Sequence, residues 1–287
     1  MWLNDNWTDY ELIDCSDGER LERWGDFILI RPDPQVIWKT PRSDPRWRNP
    51  SARYIRSTRG GGAWERFNLP DSWSIGYRNL RFNIKPMNFK HTGIFPEQAV
   101  NWEFIDKRIK ASGRELSVLN LFAYTGAATL AAAAAGASVC HVDAAKGMVS
   151  WARENAEASP VSSKPIRWIV DDCRAFIERE IRRGRFYDAI IMDPPSYGRG
   201  PSGEIWKLED DLYNFVLLCS RLLSERPSFV LLNSYTTGLS ASVLTYICES
   251  VFSAHFGGES ISDELGLPVT GSGLILPCGS SCRWTLG

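Results

Sequence analysis

The chain has 287 residues, 44% of them hydrophobic and 23% charged, an ordinary globular balance with enough length to bury a sizeable core, which excludes disorder for most of it. Thirty-three Lys and Arg against thirty-four Asp and Glu leave a net charge of −1, so no global field draws the molecule to nucleic acid or an anionic membrane, and such a partner must be met by a local patch. The seven cysteines are odd in number, scattered, and preceded by no signal peptide, so reduced thiols and a cytoplasmic location are expected.

Charge is uneven along the first third. Residues 1–30 hold two cations and eight carboxylates, net −6, whereas residues 39–66 hold eight cations and two carboxylates, net +6. The basic segment interleaves Arg46, Arg48, Arg53 and Arg59 with Trp47, Tyr54 and Trp64 and ends in Gly60-Gly61-Gly62. Phosphate-pairing charge beside flat rings suits RNA; the competing reading is an Arg-rich β domain whose tryptophans are its core. Apolar runs at 27–30, 36–38 and 80–84, punctuated by Pro and Gly, predict strands. Residues 1–98 are therefore expected to form a small β-rich N-terminal domain that binds the substrate.

From about residue 99 to 287 strands and helices alternate. Strands are expected over 116–122, 138–142, 166–170, 187–192 and 228–232, with helices near 127–135, 145–156, 174–182, 208–223 and 240–253. The rhythm predicts an α/β fold with a mostly parallel sheet and right-handed crossovers, Rossmann-like, whose ligands bind beyond the carboxyl ends of the strands. The uncharged stretch 116–142 is long enough to cross a bilayer, but Asn120, Thr125-Gly126 and Gly136 break it into strand, turn, helix and turn.

The first strand of this region runs into Phe122-Ala123-Tyr124-Thr125-Gly126, where Gly126 allows a tight turn and the next helix offers its free amides to a ligand. This is not G-x-G-x-x-G, which counts against a nicotinamide or flavin cofactor. Asp143 ends the second strand 17 positions after Gly126, where a carboxylate can accept both hydroxyls of a ribose. Asp171-Asp172-Cys173 ends the third. A carboxylate there either accepts from an adenine amino group or caps the helix that follows. The fourth strand ends in Asp193-Pro194-Pro195-Ser196-Tyr197. Two prolines stiffen that loop, so that Asp193 and the Pro195 and Ser196 carbonyls are held for a donor-rich substrate atom, with Tyr197 stacking on a planar ring.

Taken in order, residues 89–98 (Phe-Lys-His-Thr-Gly-Ile-Phe-Pro-Glu-Gln), 119–126 (Leu-Asn-Leu-Phe-Ala-Tyr-Thr-Gly), Val142-Asp143, Val170-Asp171-Asp172 and Asp193 to Tyr197 resemble the class I S-adenosylmethionine-dependent methyltransferases. Within them they resemble the branch of bacterial large-subunit ribosomal RNA methyltransferases that act on cytosine carbon 5 or guanine nitrogen 7. The likeness covers roughly residues 85–287 and is loose over the first 80, where the RNA-binding domain of the cytosine-modifying members has no clear copy.

The resemblance implies that S-adenosylmethionine is the cofactor, that Phe122, Tyr124, Thr125 and Gly126 line its methionine end, that Asp143 holds the ribose, and that Asp172 with Cys173 holds the adenine. Gln98 closes over the cofactor; the family commonly has Arg beside it, where this chain has Ala99. Asp193, Pro194, Pro195 and Tyr197 face the substrate. Carbon-5 methylation of cytosine needs a thiolate that adds to the ring, and the cytosine branch carries that cysteine just after the fifth strand. Here the position nearest to it is Thr236, which lacks the nucleophilicity, so a nitrogen acceptor in ribosomal RNA is expected, reached by positioning alone. Two alternatives stand beside it: transfer to a protein or small molecule, and a non-catalytic RNA-binding protein with a relic pocket. Residues 198–207 suit a flap over the substrate. Cys278 and Cys282 lack the second pair a zinc site needs, so no metal is expected. His141 inside its strand reads as a packed core residue.

Overall fold

A computed structural model describes residues 1–57, 61–199 and 205–287. They divide into two compact units, one of residues 2–100 with 266–278, the other of 101–265 with 279–287 and Met1.

The N-terminal unit is built of β1 (Trp2–Leu3), β2 (Tyr10–Ser16), β3 (Glu19–Trp24), β4 (Phe27–Pro32), β5 (Ala52–Arg56), β6 (Gly62–Arg66) and the hairpin β7 (Trp73–Tyr77) with β8 (Leu80–Ile84). Strands β2 to β6 form a sheet in chain order, antiparallel except for the parallel β4–β5 pair. Ile13, Leu21, Ile30 and Trp47 form a core cluster there. The run 36–38, expected as a strand, is irregular. Flanked by Pro34 and Pro41, it is tied to the β2–β3 turn region by Gly18 N–H to the Val36 carbonyl and Asp17 N–H to that of Trp38, both at 2.8 Å, and by the Trp38 indole N–H to the Cys15 carbonyl at 3.0 Å.

The second region starts with α1 (Ala99–Ala111), then β9 (Ser117–Leu121), α2 (Ala127–Ala134), β10 (Ser138–Asp143), α3 (Lys146–Ala158), β11 (Ile166–Val170), α4 (Cys173–Arg182) and β12 (Ala189–Met192). A short hairpin of β13 (Tyr197–Arg199) and β14 (Ile205–Lys207) leads to α5 (Leu208–Ser220), β15 (Phe229–Ser234), α6 (Ala241–Cys248), a π-helical turn, α7 (Ala254–Phe256), β16 (Glu259–Pro268) and β17 (Ile275–Thr285). The sheet order runs β16-β17-β15-β12-β9-β10-β11. Strands β15, β12, β9, β10 and β11 are parallel, with β11 at the sheet edge, and β17 lies antiparallel to β15. The stretch 116–142 is strand, turn, helix, strand, and among the described residues no helix is long and apolar enough to cross a membrane. Buried along both faces, β12 is wholly apolar and β15 is apolar over residues 229–232, as parallel strands covered by helices must be, whereas β11 at the sheet edge is only half-buried. His141 is fully buried with Nδ1 2.9 Å from the Thr129 hydroxyl, and burial holds its pKa down to about 3, so it is a neutral core residue.

Candidate active site at the carboxyl ends of the parallel strands

Strands β9, β10 and β11 step outward in one direction and β12 and β15 in the other, so the order reverses between β9 and β12. At such a switch point the connections leave the sheet on opposite faces and a crevice opens beyond the strand ends. The predicted residues 122–126, Asp143, Asp172 with Cys173, and 193–197 stand at the ends of β9, β10, β11 and β12 there.

The turn after β9 is strained. Phe122 and Tyr124 hold φ of 54° and 50°, and Gly126 follows at 86°. For side chains as bulky as Phe and Tyr, the left-handed region costs of order 1–3 kcal/mol each, so the surroundings must fix it. They do: the Phe122 amide reaches the Cys173 sulfur at 3.4 Å, the Ala123 amide donates to the Val142 carbonyl at 3.1 Å, and the Tyr124 amide donates to Asp143 Oδ2 at 2.8 Å. The Asn155 side chain grips the Thr125 carbonyl at 2.9 Å. Gly126 is required twice over, by its φ and because a Cβ would stand 2.9 Å from that of Ala152 on α3. Immediately beyond it α2 begins, with the unpaired amides of a first helical turn.

Asp143 organises the site. Its Oδ2 takes the Tyr124 amide and its Oδ1 the Ala145 amide, each at 2.8 Å. Burial raises its pKa despite those two bonds. With about four lone-pair sites on a carboxylate, it keeps capacity for further donors. Asp172 caps α4, its Oδ1 accepting from the Ala175 amide at 2.9 Å, so the capping reading holds for that oxygen. Cys173, the first residue of α4, is buried.

Asp193 leaves β12 with its amide 3.4 Å from the Leu121 carbonyl, which joins the two strands at the switch point. Pro194 is buried, while Pro195, Ser196 and Tyr197 are exposed. The two carbonyls expected for a substrate donor are already engaged, Pro195 by the Trp206 indole N–H at 2.6 Å and Ser196 by the Leu208 amide at 3.1 Å. A carbonyl oxygen has two lone pairs, so each can still accept a substrate donor, and both bonds stiffen the loop. The Thr236 hydroxyl donates to the Ser196 hydroxyl at 2.6 Å. Trp206, expected only as the aromatic of the flap, also has its ring 5.9 Å from Phe122 and 5.4 Å from Phe215. Residues 200–204 of the expected flap lie outside the described residues; its ends form the β13–β14 hairpin.

All seven cysteines are buried. Burial pushes the Cys15, Cys140, Cys173, Cys219 and Cys278 thiols up, Cys140 to about 11. The Cys248 thiol donates to Cys282 and so lowers the latter. None is an accessible nucleophile.

Gln98 lies in the N-terminal unit, buried in the 3-10 turn Pro96–Gln98. In the same unit the basic segment is largely answered by the acidic one. Arg53 chelates Glu19, which also takes Arg42, and Lys39 meets Asp17, while Arg46 pairs with the nearby Asp44 at 2.7 Å. Trp47 and Tyr54, expected as stacking platforms, are buried, Trp47 with its N–H on Asp14 at 2.8 Å, so for these two the core reading holds. Arg48 and Arg56 are exposed; Arg59 lies outside the described residues.

A carboxylate at the second strand end, a strained turn before an alanine-rich helix and Asp-Pro-Pro at the fourth strand thus lie together beyond the carboxyl ends of the parallel strands. The family model for S-adenosylmethionine-dependent methyltransferases matches residues 51–222, and the chain belongs to that family. It is an enzyme that uses S-adenosylmethionine, which sets aside the non-catalytic reading. Among its relatives, the ribosomal RNA large subunit methyltransferase K/L of Shewanella sp. (strain MR-4) is 30% identical over 157 residues, 54% of this chain but 22% of that protein. That of Colwellia psychrerythraea is 27% identical over 176 residues, again 22% of its length. The chain thus matches about a fifth of these relatives. A crystal structure of a SAM-dependent methyltransferase from Agrobacterium tumefaciens is 36% identical, covers 99% of this chain and 92% of its own, and superposes with a TM-score of 0.93. A Streptococcus mutans structure, 21% identical over 99% of this chain and 76% of its own, shares the fold with a TM-score of 0.76.

Proposed function

We propose that this methyltransferase acts on a base nitrogen of ribosomal RNA and does so without a covalent enzyme–base intermediate. The observation that carries the nitrogen reading is the burial of every thiol, with Thr236 at the loop after β15 bound to Ser196 instead of poised for attack. The relatives' name supports ribosomal RNA as the substrate class.

The cofactor supplies a methyl on a sulfonium, already strongly electrophilic. The chain has to bind it, orient the acceptor in line with it, and keep water away. The strand ends are suited to those roles. Asp143 would take the ribose hydroxyls on its remaining lone pairs, Asp172 and the first amide of α4 at Cys173 the adenine edge, and Phe122, Tyr124, Thr125 and Gly126 the methionine end. Asp193 orients the acceptor by accepting its N–H, Pro194 and Pro195 stiffen that loop, and Tyr197 stacks on the base. A ring nitrogen with a free lone pair needs no general base.

The test is incubation with tritiated cofactor and deproteinised ribosomal RNA from a strain lacking the gene, followed by digestion to nucleosides. Label on a base nitrogen supports the proposal, and label at cytosine carbon 5 refutes it. A second reading, a protein or small-molecule acceptor, is favoured by the ion pairs that occupy Arg46 and Arg53 and by the burial of Trp47. Reversal of the exposed pair, Arg48→Glu with Arg56→Glu, separates the two. RNA delivery by this unit predicts weaker RNA binding and a salt slope lowered by about one for each phosphate no longer paired; the second reading predicts no change.

A further inference from the structure

The indole of Trp206 touches both halves of the site. Its N–H donates to the Pro195 carbonyl at 2.6 Å, inside the Asp-Pro-Pro loop. Its ring lies 5.9 Å from that of Phe122, the residue that opens the strained turn after β9, and both rings pack on Phe215 at 5.4 Å. The neighbouring backbone closes the arrangement: Tyr197 pairs with Lys207, Gly198 with Trp206, and the Leu208 amide holds the Ser196 carbonyl. Phe122 sits at φ 54° with its amide on the Cys173 sulfur, so its ring direction is set by the conformation of the turn. A shift of the turn therefore moves the Phe122 ring against Trp206, and through the indole N–H it reaches the carbonyl two residues beyond Asp193.

We infer that Trp206 is a positioning residue that couples occupancy of the turn after β9 to the rigidity of the acceptor loop at Asp193 to Tyr197. This rests on the proposal that the turn holds the methionine end of the cofactor. Coupling of this kind acts in both directions, so a ligand that orders the turn also orders the loop.

Hydrogen exchange with and without S-adenosylhomocysteine, followed on peptides covering the turn (122–127) and the loop with its hairpin end (193–199 and 205–210), tests this without any methyl acceptor. In the wild type the product should slow exchange in the turn and, by about fivefold or more, the low end of ordinary coupling between sites, in the loop. Trp206→Phe keeps a ring against Phe122 but loses the N–H. It should keep protection of the turn and lose that of the loop. Phe122→Leu keeps the indole hydrogen bond and should also weaken loop protection. Loop protection unchanged in Trp206→Phe, or absent in the wild type while the turn is protected, overturns the inference. Absence of protection in the wild-type turn itself would instead refute the placement of the cofactor there, and the coupling with it.

Discussion

In the N-terminal unit the buried carboxylates of Glu22 and Asp33 face guanidinium groups, Arg31 at 2.6 Å and Arg20. At the strand ends of the sheet the carboxylates of Asp143 and Asp172 face backbone amides. Burial by itself would raise the pKa of Glu22, but the charge of Arg31 and its hydrogen bonds outweigh it and hold the carboxyl below its usual 4.5. Asp143 has no such cation, and burial carries it upward against its two amide bonds. A carboxylate neutralised by Arg is satisfied and supports the fold. One that holds only amides stays a net negative charge with lone pairs to spare, the condition a ligand site needs.

The largest effect should come from breaking the first kind of pair. Glu22→Ala leaves Arg31 buried without its carboxylate and should destabilise the N-terminal unit by about 3–5 kcal/mol, read from its urea transition. Replacing both partners by Met should recover most of that loss. The pH dependence follows from the sign of the shift: because the folded pKa is depressed, the Glu22 contribution is present above pH 4.5 and is lost as pH falls through the lower folded value. Glu97 in the same unit behaves oppositely, since burial raises it. Glu97→Gln should therefore stabilise at neutral pH, with the gain vanishing as the medium falls below the usual 4.5.

Asp143→Ala tests the second kind of carboxylate. Loss of an ionised acceptor from two amides should cost about 1.5–3 kcal/mol, concentrated in the turn, and weaken S-adenosylhomocysteine affinity by calorimetry by about tenfold or more. Wild-type affinity should also fall as pH drops through the Asp143 pKa, which lies above the usual 3.8. A smaller effect is due at Asp172, where Ala should cost about 1 kcal/mol of α4 stability for the lost cap. Asp172→Asn keeps the cap. Unchanged affinity in that variant would reduce Asp172 to a capping role, whereas weakened affinity with intact stability would place its charge on the adenine.

Much of the methyltransferase half is legible because its strands are apolar runs whose last residues change character: the run 166–170 is β11 as read, and Asp143 and Asp193 stand at ends where an apolar strand stops at a carboxylate. Helix α1 is not among the expected helices, although Trp102, Ile105 and Ile109, all buried, repeat at helical spacing. Other features have no local signature. Arg53 and Glu19 are 34 residues apart, so a basic segment looks available for phosphate until the sheet lays β3 and β5 within reach of each other. Positive φ at Phe122 and Tyr124 runs against the preference of both residue types and is imposed by Asp143 and Cys173, which lie 19 and 51 positions further on. Trp206 reads as one aromatic in a polar loop until folding brings the Pro195 carbonyl to its N–H.

The smallest expected effect concerns Thr236, on which the proposed nitrogen chemistry makes no demand for a thiol. Its hydroxyl and that of Ser196 form a neutral hydrogen bond at an exposed position, and such bonds contribute about 0.5–1.5 kcal/mol net. Thr236→Val keeps the shape and removes the donor, so methyl transfer should fall by roughly two- to tenfold at unchanged S-adenosylhomocysteine affinity. Thr236→Ser should restore the wild-type rate. Thr236→Cys tests the chemistry itself: a thiol placed here should slow transfer like Val, with no covalent adduct to RNA containing 5-fluorocytosine, because a nitrogen acceptor makes no use of it. An adduct, or a rate raised above that of Thr, would mean that the loop after β15 is already built for attack on carbon, and that only the nucleophile is missing.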